Sequence, residues 1–370
     1  MFVGTFAWAF VYVSLPFHIQ AISTLDPAAT LRWTGWILGI SSLVTVGMAP
    51  MWGRYGERGN PRAMYMMIEA LQGLGFFGMA LARTLPELFV ARLILGFMGA
   101  ASTFAFIIAS RAGSPGAVRR QVAAIQSAMT VGQVIGPLAG AIAAARLGFR
   151  TSFVLGGIIL LGCAALVRWG VPDVAPQPRP RGREGRASAR TVAAVALIIL
   201  GGNLQIFFLP AVLPQVLPDL GVGPGRTLEV GGVLIFVSGV AAALGALVAP
   251  RLGEIVPERM LLSILLAGSS LLVAMMAAAA SVWPYGVLRF FQVLAIAPVF
   301  PLVVARVAQH AGGQAIGVIN SARIGAGFLG PVLATTVLAW TSPALLYMLL
   351  GAVGLASAPL VRVRVPRAAL

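Results

Sequence analysis

Twelve stretches of about 20 mostly apolar residues follow one another along this chain, and that length is what a helix needs to cross a bilayer core. They fall near residues 2–22, 34–53, 63–82, 86–109, 120–145, 151–170, 191–217, 229–250, 259–280, 283–305, 313–339 and 343–361. The chain is 59% hydrophobic and only 10% charged, whereas a soluble domain carries about 25% charged residues. In lipid, backbone polar groups must be satisfied inside the segment itself, so each run reads as a helix. The expected fold class is an all-α membrane protein.

The net charge of +16 is carried by arginine, with no lysine anywhere. The arginines fall in short clusters between the apolar runs. With the N-terminus inside, cytoplasmic segments hold 18 Arg and 5 acids, and outer segments hold 5 Arg and 4 acids. The positive-inside rule then puts both termini in the cytoplasm, and the expected location is the plasma (bacterial inner) membrane. Nucleic-acid binding would need one contiguous basic patch, which these clusters do not form. The single cysteine, Cys163, lies in an apolar run and excludes an internal disulfide or a thiolate metal cluster. No metal, cofactor or ATP-driven step is expected, since the sequence has neither H-E-x-x-H nor a P-loop lysine. With no paired intramembrane Asp and no Ser/His/Asp cluster either, the chain does not read as an enzyme. The opening MFVGTFAWAF lacks the basic start of a signal peptide, and its apolar run is too long for one.

The longest polar segment, 171–190, is rich in Pro, Gly and Arg and reads as a cytoplasmic linker. It separates six spans (1–170) from six spans (191–370). The halves resemble each other. IQSAMTVGQVIGPL (125–138) aligns without gaps on INSARIGAGFLGPV (319–332), APMWG (49–53) matches APRLG (249–253), Arg92 pairs with Arg289, and Leu15-Pro16 pairs with Leu213-Pro214. Four matches in one order point to duplication of a six-span unit, an arrangement that places a substrate site near the bilayer midplane between two rocking halves.

Three motifs identify a family resemblance. WGRYGERGNPR (52–62), between spans two and three, resembles the G-x-x-x-D-R-x-G-R-[KR] loop of the major facilitator superfamily, through Gly53, Glu57, Arg58 and Arg62; Asn60 and Pro61 depart from it. GQVIGPLAGA (132–141) in span five resembles the G-x-x-x-G-P-x-x-G-G signature of drug/proton antiporters, with Ala141 in the last Gly position. LFVARLILG (88–96) resembles the span-four pattern L-x-x-x-R-x-x-Q-G, with Leu95 in place of Gln; Arg289 and Gln292 restore the pair in span ten. The resemblance implies the major facilitator fold, two pseudo-symmetric six-helix bundles working as a monomer. It also implies that Glu57 latches the cytoplasmic side against the start of span eleven, near GGQA (312–315). Gly132, Gly136 and Gly140, spaced by four, form one helical face where another helix can approach, and Pro137 bends that seam. The alternatives are a basic loop that only sets topology and a packing motif common to any membrane helix.

Charge inside the bilayer is costly, about 2.5–3.5 kcal/mol for an Arg at the centre, and so marks function by default. Arg92 and Arg289 are expected either to snorkel to the outer surface or to assist substrate binding. Arg323, mid-span, is expected to hold a polar or anionic group, with the substrate or backbone carbonyls as its partner. Glu69 is either a proton carrier or a structural carboxyl near the inner interface. His18 either titrates or faces the outer vestibule. Trp8, Tyr12, Asn203, Gln205 and Gln292 complete the expected substrate or coupling set, with an adaptable pocket among Trp8, Tyr12, Met129, Phe207, Phe236 and Phe291. Two functions follow: export of small amphiphilic molecules in exchange for protons, or carriage of an organic anion by the intramembrane arginines.

Overall fold

A computed structural model describes residues 1–111, 114–171, 173, 189–308 and 313–362. Among the described residues there is no strand, and sixteen α-helices follow in order. The first eight are α1 (Phe2–Tyr12), α2 (Leu15–Ile22), α3 (Pro27–Arg58), α4 (Pro61–Leu81), α5 (Leu85–Phe97), α6 (Ala101–Ser110), α7 (Pro115–Leu147) and α8 (Phe149–Gly170). The second eight are α9 (Ala189–Phe207), α10 (Leu209–Asp219), α11 (Thr227–Ile255), α12 (Glu258–Met275), α13 (Val282–Ile296), α14 (Val299–Ala308), α15 (Gly313–Trp340) and α16 (Pro343–Ser357). They form 12 segments long and apolar enough to cross a membrane, at the places the sequence predicts.

Polar residues followed by proline start several of these helices. The Asn60 side chain accepts from the backbone N–H of Arg62 at 3.0 Å and of Ala63 at 3.1 Å, and Pro61 takes the first helical position. Thr84, Ser114 and Ser342 cap α5, α7 and α16 in the same way, each with a proline at the first or second position. The side-chain oxygen satisfies an orphan N–H, and proline lacks one to satisfy.

Four spans are not single helices, which corrects the sequence reading. Spans one, four, seven and ten split into α1/α2, α5/α6, α9/α10 and α13/α14. Pro16 and Pro210 sit at the starts of α2 and α10, and Pro298 directly precedes α14; none can donate the hydrogen bond that a continuous helix needs. Span four breaks without proline, at Met98–Ala100, where Gly99 lies hard against Thr45. Hydropathy does not register these breaks because the residues there are themselves apolar or small. Each broken span opens a group of three, so the six-span duplication contains a shorter repeat. The structural counterpart of Leu15-Pro16 is Leu209-Pro210, four residues before the pair expected from sequence; Pro214 lies inside α10.

The chain divides into two compact units. One comprises Met1–Asp26, Trp36–Pro180 and Gly225–Phe236, and the other Pro27–Gly35, Arg181–Pro224 and Val237–Leu370. The first turns of α3 belong to the second unit and those of α11 to the first, apart from the rest of their helices. Within the second unit Gly35 lies against Pro331 and Thr335 of α15; within the first, Gly232 lies against Pro137 and Ala141 of α7. Most of the expected linker, 171–190, is outside the described residues. In the first unit α4 packs along α8, and α1 packs against α7 and α8; in the second, α9 packs along α15, and α12 against α13 and α16. Large apolar side chains such as Trp283, 82% exposed, face outward, as a lipid solvent requires.

Candidate functional site

In the first unit, α4 places Tyr65, Glu69, Gln72 and Phe76 on one buried face, because steps of three and four residues return to the same side of a helix. Gly4 and Trp8 of α1, one turn apart, stand opposite. The Glu69 carboxyl rests on Gly4, where an added methyl would lie 2.6 Å from Oε1 and 3.0 Å from Oε2. Glu69 is 1% exposed, and its Oε2 has no hydrogen-bond partner. The Tyr65 hydroxyl and the Cys163 thiol lie beside the carboxyl. One turn further, Trp8 Nε1 donates to Gln72 Oε1 at 2.8 Å, and the Gln72 amide donates to the Met98 carbonyl. The Trp8 ring stands edge-on to Phe76 and lies beneath the Arg92 guanidinium, 5.4 Å from its centroid. Tyr12 lies close to Arg92 as well.

The two buried arginines bind backbone. Arg92 Nε donates to the Ile37 carbonyl at 3.1 Å and Nη2 to the Leu38 carbonyl at 3.0 Å. Ser41 Oγ donates to the carbonyl of Arg92 itself at 2.5 Å. In the second unit Arg289 Nη1 donates to the Gln205 carbonyl at 2.7 Å and to Gln292 Oε1 at 2.8 Å. Its Nη2 donates to the Ile206 carbonyl at 3.0 Å, and its Nε to Ser238 Oγ at 3.1 Å. Gln292 and Gln205 join their amides at 3.1 Å, and Gln205 continues to Ser270 Oγ at 3.1 Å. Arg289 thus neutralises the carbonyls freed where α9 ends at the break in span seven, a task for which a forked cation is suited. Neither arginine snorkels: Arg92 is 3% and Arg289 2% exposed.

The remaining expected residues scatter. His18 is buried between Phe149 and Phe153, with Nε2 unpartnered, so it does not face an outer vestibule. Asn203 returns its amide to the Ile199 carbonyl of its own helix at 2.8 Å. Among the described residues Arg323 reaches Asn320 Oδ1 at 3.3 Å and lies over the Phe300 ring. Phe291, expected in the pocket, is among the exposed apolar side chains. Sequence reasoning missed Gly4, Tyr65, Gln72, Ser41 and Ser238. The helical spacing of Gly4 to Trp8 and of Tyr65 to Glu69 to Gln72 is the signal that could have found three of them.

The glycines of α7 do form a seam, and its partner is α1. A methyl on Gly132 would lie 2.9 Å from the Phe2 carbonyl oxygen; on Gly136, 2.8 Å from that of Phe6; on Gly140, it would fall on the Phe10 carbonyl. A sequence profile of the Major Facilitator Superfamily matches residues 1–223. The chain belongs to this superfamily. Its members are transporters rather than enzymes, and the protein is integral to the membrane.

Among relatives, the multidrug resistance protein MdtG of Serratia proteamaculans is 26% identical over 334 residues, covering 85% of this chain and 78% of that one. The uncharacterized MFS-type transporter YuxJ of Bacillus subtilis is 24% identical over 331 residues, covering 86% and 83%. Solved structures share the fold. The nucleoside transporter NupG superposes with a TM-score of 0.73 at 12% identity, covering 96% of this chain and 95% of that one. The human organic anion transporter MFSD10 superposes with 0.64 at 15% identity, covering 98% and 96%.

The superfamily loop between spans two and three is mostly helix here, a correction to its reading as a loop. α3 runs through Gly53 and Gly56 to Arg58, and only Gly59 and Asn60 make the turn. The two departures from the motif now have a cause: Asn60 caps α4, and Pro61 starts it. Asn60 Nδ2 also donates to Asp173 Oδ1 at 2.6 Å, and Arg62 Nη2 to the Arg168 carbonyl. Gly53 has open space on its Cα, and Arg58 is exposed. The side chain of Glu57 and residues 309–312 lie outside the described residues, and with them the expected latch contact.

Proposed function

We propose that the protein is a secondary active transporter that works by alternating access as a monomer, exporting small amphiphilic or drug-like molecules in exchange for protons. Its setting in this reading is a bacterial inner membrane, with both termini and the 171–190 linker cytoplasmic. The observation that carries the exchange is Glu69, the one buried acid among the described residues, set deep in a span with an unpartnered oxygen. An ionised carboxyl there costs several kcal/mol without a cation, whereas the neutral form does not, so the group is suited to bind and release a proton. Export is supported by the close-packed α1/α7 seam that carries the antiporter-type signature, and by the multidrug names of the relatives. The test is uptake of amphiphilic fluorescent dyes into inverted vesicles. An imposed pH gradient should drive it, and Glu69→Gln should uncouple it; dye movement indifferent to both would refute the exchange.

A second reading rests on Arg323. Among the described residues, a cation in span eleven that reaches one amide oxygen and lies over a ring face has N–H donors left for a carboxylate, so an organic anion is the alternative substrate. Arg92 and Arg289 do not support it, because their donors are committed to backbone carbonyls. Loss of anion transport in Arg323→Met, with dye export intact or absent from the start, would favour this reading.

A further inference from the structure

Gly4 and Trp8 share one face of α1, and Glu69 and Gln72 share the face of α4 that meets it. The helices therefore touch through two polar points in register. At the first, a carboxyl occupies the space where a side chain at position 4 would begin. At the second, an indole N–H is bonded to an amide oxygen. On its other side α1 is held by Gly132, Gly136 and Gly140 of α7, so closely that α1 can leave α4 only by carrying α7 with it.

The groups facing the Glu69 carboxyl are the amino group of Met1, Cys163 of α8 and Tyr65 of its own helix. Neither side chain offers a full positive charge. A neutral carboxyl is content in this setting. An ionised one is stabilised by water, which a parting of α1 from α4 at Gly4 would admit.

Resting on the proton-exchange reading above, we propose that the Glu69–Gly4 contact is a proton-binding site whose occupancy is read by Trp8. When the carboxyl O–H gives its proton to entering water, α1 withdraws from α4, the Trp8–Gln72 hydrogen bond breaks, and the indole leaves its place beneath Arg92. Both neighbours of Trp8 are anchored. Arg92 is tied to the carbonyls of Ile37 and Leu38 in α3, and Gln72 to the Met98 carbonyl at the break in span four. The proton's signal therefore passes from α1 to span two and to that break. Trp8 and Gln72 act as positioning residues, and the acid–base exchange belongs to Glu69 alone.

The test uses the full chain in lipid nanodiscs, with its seven tryptophans replaced by 5-fluorotryptophan and the Trp8 resonance assigned by Trp8→Phe. Across roughly pH 5 to 9, the Trp8 fluorine signal should move through one transition in the wild type. It should stay at the acid-end position throughout in Glu69→Gln. In Gln72→Leu, which keeps the carboxyl and removes the indole's acceptor, it should stay near the alkaline-end position. A wild-type signal that does not move, or the same transition in Glu69→Gln, overturns the proposal. No substrate enters this measurement. Vesicles that show no proton exchange alongside a Trp8 signal that does titrate would reject the exchange reading and leave the site standing.

Discussion

Replacing Gly140 with alanine sets a methyl group on the carbonyl of Phe10. The neighbouring position gives the scale. At Gly136 the methyl carbon would stand 2.8 Å from the Phe6 carbonyl oxygen, against ordinary contact from 3.4 Å, a shortfall of about 0.6 Å. At Gly140 the overlap is larger, and backbone cannot swing aside as a side chain can. α1 must retreat, and a gap of roughly 0.5–1 Å forfeits a quarter to a half of the dispersion attraction along the seam. Helices in lipid associate through such packing rather than through the hydrophobic effect, so the loss is not offset elsewhere. We expect Gly140→Ala to destabilise the fold by about 1–3 kcal/mol, the usual cost of overpacking. Gly162 in α8 and Gly268 in α12 are the controls: each has open space where the methyl would go. Alanine there should be neutral or should gain up to about 1 kcal/mol from helix propensity. Reversible unfolding in mixed micelles, followed by tryptophan fluorescence, compares the three variants. Equal stability of Gly140→Ala and Gly162→Ala would refute the seam.

Arg289→Lys should destabilise the second unit by about 1–3 kcal/mol, because one ammonium cannot reach the Gln205, Ile206, Gln292 and Ser238 oxygens together; an unchanged melting temperature would show that the arginine does not hold the break in span seven. Asn60→Ala should cost about 1 kcal/mol through the lost cap of α4, read by the same unfolding, while Asn60→Ser, which keeps a capping oxygen and sets no second carboxylate beside Asp173, should retain most of it. Arg323→Met copies the residue at the matching place in the first half, Met129, and should leave dye export unchanged if the substrate is neutral; loss of anion transport in the same variant points to the anion reading. A reporter fused within 171–190 should be active only as a cytoplasmic enzyme, and periplasmic activity would overturn the orientation.

Span number, span position and superfamily were legible in the chain, because crossing a bilayer is set by length and hydropathy, which are properties of one segment at a time. The glycine spacing at 132, 136 and 140 was likewise legible as a close-packing face. What could not be read was its partner: the backbone of α1, more than a hundred residues earlier. The same holds for the arginines. Sequence shows a cation in a span but not the depth and rotation that turn it toward the Ile37 or Gln205 carbonyl instead of a ligand. The breaks in spans one, four, seven and ten escaped because apolar residues fill them, so hydropathy runs on while the hydrogen-bond ladder stops. Most of all, Glu69 could be recognised as an acid in lipid, yet its meaning depends on a glycine 65 positions away. Only the packing of α1 on α4 brings the missing side chain of Gly4 to the carboxyl, and that contact, absent from any one-dimensional pattern, is what makes the acid a candidate proton site.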